Sequence, residues 1–169
     1  MAAEFFLFAV FPLLLAVAAG WDLASFTIPN AISIALVAAF IAFAVILRMN
    51  PGLVGFHLLA GFVALVIGFG LFALGYIGGA DAKLFAGTAL WIGFSDLLSY
   101  ALFAAVSGGA LALLLIGARQ LPLPGFLLRE AWIARLHDGK SGIPYGVALA
   151  AGALVVLPHT DIFRLALSQ

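Results

Sequence analysis

Two acidic residues stand out for where the chain puts them. Asp22, in WDLASFTIPN, follows directly on an apolar run, and Asp81, in GGADAKL, follows another. A charge beside an apolar membrane segment is costly, so one that is kept is by default a functional candidate. Two carboxylates held close together do not both ionise cheaply: one keeps its proton and the other stays charged. The charged one can take a proton from water while the neutral one polarises a peptide carbonyl. That is hydrolysis of the aspartic-protease type, and it needs no metal, cysteine or histidine. Gly78 and Gly79 let the backbone turn sharply and let a substrate strand approach Asp81 closely. Lys83 has a stem long enough to reach the headgroups or to bias the Asp81 charge. The plainer reading stands beside this one. An Asp at a helix boundary is often an N-cap, Pro29-Asn30 makes an ordinary helix start, and a glycine such as Gly75 ends a helix.

The elements that must position these residues follow from composition. The 169 residues are 66% hydrophobic and 8% charged, against about 25% charged in a soluble domain. The chain reads as an all-α polytopic membrane protein, with residues 1–169 forming one membrane-embedded domain. Its formal net charge is zero, so no basic surface suggests nucleic acid. The absence of cysteine excludes disulfides, thiolate metal sites and a cysteine nucleophile. His57, His137 and His159 lack ligand spacing, so neither a metal nor a cofactor is expected. Glu4, with no Lys or Arg before the first apolar run, argues for a retained span rather than a signal peptide.

A helix crossing a ~30 Å hydrocarbon core needs about 20 residues. Apolar runs at 5–21, 31–47 and 56–77 give three spans, the first kinked at Pro12. The run 84–118 is too long for one crossing. A break at Gly93-Phe94-Ser95-Asp96, with Ser95 or Asp96 as N-cap, divides it into a short fourth helix (84–92), expected to start a turn earlier or to sit in a locally thinned or water-lined region, and a fifth (97–118). Residues 143–157 make the sixth, closed by Pro158. In the polar segment 119–142, FLLREAWIARL (126–136) suits a short helix on the membrane surface with Trp132 at headgroup depth. With about six spans, the loops at 22–30, 78–83 and 119–142 share one side. They carry Lys83, Arg119, Arg129, Arg135 and Lys140, against Arg48 and Arg164 on the other, so they are expected to be cytoplasmic. Asp22 and Asp81 then lie at one depth on one face. Asp96 reads as a cap, and Glu130 and Asp138 as solvated.

DLASFTIPN (22–30), GGADAKL (78–84) and GIPYGVALAAGAL (142–154), in this order over nearly the whole chain, resemble the type IV prepilin peptidases. More narrowly they are similar to the small branch serving Flp (tight-adherence) pili. The resemblance implies a GxGD-type membrane aspartic protease of the bacterial inner membrane, with Asp22 and Asp81 catalytic and facing the cytoplasm. Gly78, Gly79, Lys83, Ile28, Pro29, Asn30, Ile143, Pro144, Tyr145 and Gly146 match further motif positions. The implied substrates are prepilins and pilin-like proteins: a basic leader, a Gly at the cut, then an apolar helix in the bilayer. Glu130 and Asp138 could attract that leader. Two positions depart from the pattern. Ala80 stands where GxGD has Gly and would resist a positive φ; Ala24 stands where a basic residue is common. Large members also carry a cysteine-bearing zinc module and a methyltransferase activity; neither is expected here.

Two other function classes stay open on the residues alone. One is a small proton-coupled transporter or channel using the same aspartates as a relay; the spans carry few central polar residues and no strong inverted-repeat signal for it. The other is a structural assembly subunit whose polar residues only cap helices. The small-residue face around Gly108, Gly109 and Ala112 would serve a homodimer or packing within one chain.

Overall fold

The computed structural model describes residues 2–168. These residues are helical with no strand. The first span begins as a short helix α1 (Ala2–Phe5) and a π-helical stretch (Phe6–Val10), then continues as α2 (Phe11–Ser25). Pro12 lies in the first turn of α2, and its ring clashes with the carbonyl four residues back. The helix absorbs that by widening into the π-helical stretch, where a kink is expected from sequence. α2 stops where Phe26 turns left-handed at φ 55°.

α3 (Asn30–Ile46) starts with Pro29 as its N-cap. α4 (Pro51–Ala73) starts earlier than the apolar run, because the Asn50 side chain accepts the Gly52 N–H at 2.8 Å and Pro51 fits the first turn. α4 ends early as well: Gly75 (φ +77°) lets Tyr76 N–H reach the Leu71 carbonyl at 2.9 Å.

The fourth helix starts earlier than its apolar run, as its shortness required. α5 (Gly79–Ile92) begins five residues before that run opens at 84. Asp81 is therefore in a first helical turn, not in a loop. The Asp81 carboxylate accepts the Gly78 N–H at 3.1 Å, satisfying the N-cap donor. At 14 residues α5 is about 21 Å long, shorter than the bilayer. It can be short because it is wrapped: every side chain from Leu84 to Ile92 is buried. Backbone ends inside protein need not reach the headgroups.

α6 (Leu97–Ala118) follows Gly93 (φ +85°). Asp96 sits at its N-cap position, but no side-chain cap bond forms there. The expected surface helix at 126–136 is broken in two: a 3-10 turn (Leu127–Arg129), then α7 (Ala131–His137), with Glu130 extended between them. Arg119 fastens this segment through the Leu136 carbonyl at 2.8 Å and the Gly142 carbonyl at 2.9 Å. α8 (Tyr145–Val156) is followed by a 3-10 turn containing Pro158. The chain then continues as α9 (Asp161–Leu167), capped by the Thr160 hydroxyl, which the sequence reading lacked.

Among the described residues three helical segments are long and apolar enough to cross a membrane: Phe6–Ser25, Pro51–Ala73 and Leu97–Ala118. The pair Tyr145–His159 and Asp161–Leu167, bent by 54°, makes a fourth if taken as one span. Asn30–Ile46 is apolar but shorter, and α5 is interior. The core gathers around α5. Trp91 stacks on Phe11 at 4.8 Å between centroids, is flanked by Phe40 and Phe43, and donates its indole N–H to the Leu36 carbonyl at 3.0 Å. His57 of α4 hydrogen-bonds the Leu90 carbonyl at 2.6 Å through Nδ1, occupying one of the last open carbonyls of α5. Helices approach closely where side chains are small, as in membrane bundles. A methyl added at Gly152 would stand 2.6 Å from the Ala104 backbone nitrogen.

Candidate active site

The end of α2 and the starts of α5 and α8 lie together. Asp22 lies one turn before the end of α2 and is 5% exposed. Its Oδ2 accepts the Gly146 N–H at 2.6 Å. Gly146 is in the first turn of α8, where backbone N–H groups lack helical partners and the helix dipole favours an anion. The fit depends on glycine. A Cβ at 146 would fall 2.9 Å from Asp22 Oδ2 and 2.9 Å from Ile28 Cδ1.

Asp81 is tethered in the same manner, with Gly78 as its donor. A Cβ at Gly78 would stand 2.9 Å from Asp81 Oδ2. Gly79 has Phe72 against it, 3.3 Å from where its Cβ would be. The positive φ that Ala80 would resist is not required there. Gly78 is extended (φ −72°, ψ 150°) and Ala80 lies in the helix, outside the two non-glycine positive-φ positions, Phe26 and Arg48. An alanine at 80 therefore carries no backbone strain.

Tyr145, next to Asp22's donor Gly146, lines a cavity of about 180 Å³ together with Asp81, Phe85 and Leu149. Ile67 and Leu71 of α4 and Ala101, Ala104 and Ala105 of α6 form its side walls. The Tyr145 ring rests on Gly108, whose missing side chain makes the room. Gly108 thus packs within the chain; Gly109 beside it has nothing within 4 Å.

The remaining sequence candidates lie at this same end. Ile28 is buried and packs against Gly146. Pro29 starts α3, and Pro144 is the N-cap of α8. Asn30 accepts a hydrogen bond from the Lys83 ammonium at 3.0 Å, so Lys83 braces α5 against α3 rather than sitting on Asp81. Ala24, the other departure, offers its carbonyl to Arg135 at 3.2 Å. The roles of Arg119 and Arg135 were not foreseen; they pin the 119–142 segment over this end of the bundle, and no spacing signals it. Capping and chemistry are not exclusive here. Both aspartates satisfy helix N-terminal donors through Oδ2. Among the described residues no three His, Cys, Asp or Glu side chains gather as a metal site would need.

Apolar helices packed in this way, with a pair of carboxylates at one end, define a multi-pass membrane protein. Residues 9–113 match the model of the type IV leader peptidase family. That span is well over half of the chain and holds both Asp22 and Asp81; the chain belongs to this family, and the family is one of proteases. No curated protein and no solved structure matches it.

Proposed function

We propose that this chain is an aspartic endopeptidase that removes the basic leader from Flp-type prepilins and pilin-like proteins, at the cytoplasmic face of the bacterial inner membrane. The observation that carries the reading is that Asp22 of α2 bonds the first turn of α8 while Asp81, from α5, shares a cavity with Tyr145 of that same turn.

The chemistry follows from what each carboxylate has left over. A backbone N–H occupies Oδ2 of each, so the other oxygen of each can face a substrate and a water. The ionised member takes a proton from the water as its oxygen attacks the peptide carbon. The protonated member donates to the carbonyl oxygen, which offsets the charge developing there. The tetrahedral intermediate then collapses: the C–N bond breaks, a proton passes to the leaving amine, and the pair returns to one shared proton. The cavity beside Asp81 is apolar except for Asp81 and Tyr145, which suits an apolar substrate segment unwound at its glycine. Five of the seven basic residues lie in or beside the segments at this end, which supports the cytoplasmic orientation.

The test is to reconstitute the full chain in vesicles with a membrane peptide bearing a basic leader, a glycine and an apolar helix. Cleavage after the glycine, read by mass spectrometry, without proton flux across the same vesicles is expected. Proton flux with an intact peptide would replace the peptidase reading with that of a transporter.

A further inference from the structure

On the opposite side of α5 from the Asp81 cavity, the structure leaves a second feature unexplained. α3 and α4 are joined by a tight turn and each packs on α5, yet they touch one another little. Between them lies an apolar groove. At one end it is a cavity of about 250 Å³ lined by Ser33, Val37, Phe62, Leu65, Lys83 and Leu90. A second cavity of about 580 Å³, lined by both helices from Phe40 to Leu58, lies at the other end by Arg48. Its floor at the first mouth is Gly61, Ala86 and Gly87. Several of its walls are bare: Phe62 is 63% exposed and Ile41 55%.

We propose that this groove holds an anionic phospholipid, with its phosphate at Lys83 and an acyl chain along Val37, Phe62, Leu65 and Leu90. Lys83 stands at the mouth. An ammonium has three donors, and the Lys83 ammonium bonds Asn30 Oδ1, a neutral acceptor, with no ion-pair partner among the described residues. Donors remain for a phosphate, and the Ser33 hydroxyl lies in the same wall. Lysine stems lie along apolar surface with the charge held at headgroup level. A groove of this shape beside hydrocarbon forfeits dispersion contacts unless a chain fills it. Charge also separates this occupant from the proposed substrate. A basic leader is repelled by Lys83 but attracted to the carboxylate side of α5. The inference does not depend on the catalytic reading.

The experiment uses the purified full-length chain in detergent with equal amounts of phosphatidylglycerol and phosphatidylcholine of matched chains, read by native mass spectrometry. The native chain should retain one phosphatidylglycerol about fivefold in preference, the worth of one lysine against an anionic lipid surface. Lys83→Gln should bring the two lipids to parity, and Lys83→Arg should keep the preference. Val37→Trp should fill the groove and lower retention of both. Equal retention by the native chain, or a preference that survives Lys83→Gln, overturns the proposal. Displacement of the lipid by an apolar peptide helix with a basic leader also overturns it and assigns the groove to substrate.

Discussion

Replacing Gly146 with alanine probes the tether on Asp22 while leaving both aspartates in the sequence. The added methyl would lie 2.9 Å from Asp22 Oδ2, 2.9 Å from Ile28 Cδ1 and 3.1 Å from Asp22 Cβ, all inside ordinary contact. α8 cannot back away, because Gly152 already rests on the Ala104 backbone. The Asp22 carboxylate must move and give up its 2.6 Å bond to the Gly146 N–H. A hydrogen bond to a charged group contributes about 1.5–3 kcal/mol. At about 1.36 kcal/mol per factor of ten, kcat/KM for leader cleavage should fall about 10- to 150-fold. The assay is cleavage of the leader-bearing peptide in vesicles, with Gly109→Ala as control, since nothing lies within 4 Å of that position. Stability supplies a second reading. In an Asp22→Ala background, Gly146→Ala should destabilise less than in the native chain, a non-additivity that reports direct contact. Undiminished cleavage by Gly146→Ala, or an equal loss in the control, would refute the tether.

Three further expectations rest on separate contacts. Ala80→Gly, which restores the family pattern, should not raise activity and should lower stability by up to about 1 kcal/mol, because position 80 is helical; chemical denaturation and a cleavage assay check both halves. His57→Phe leaves the Leu90 carbonyl without its partner and should cost about 1–3 kcal/mol, visible as a lower unfolding temperature in detergent. Arg119→Ala removes the donors to Leu136 and Gly142, so limited proteolysis should nick the 119–142 segment faster than in the native chain.

The helices were legible wherever an apolar run met a cap or a proline, as at Pro29 and Gly93. What failed was the inference from composition to boundary. The run 84–92 is too short to stand alone and so asks for an earlier start, but composition does not say where; the Asp81 carboxylate supplies the cap that sets it at Gly79. The Asn50-Pro51 pair was read as turn alone, although it also begins α4. The convergence of Asp22 and Asp81 at one end followed from parity. The contacts that hold them did not, because Gly146 and Gly108 act by what their missing side chains admit from α2 and α8, and a lone glycine announces no partner. The partner of Lys83 was not legible, since its hydrogen bond to Asn30 spans 53 positions of chain.

The most direct test of the proposed mechanism is single-turnover cleavage by Asp22→Asn and Asp81→Asn, each in the full chain and each shown to insert and to unfold at a temperature close to the native one. The proposal predicts that either substitution alone abolishes cleavage, because neither half of the proton exchange can proceed without the other. Cleavage at the native rate by either variant would contradict it.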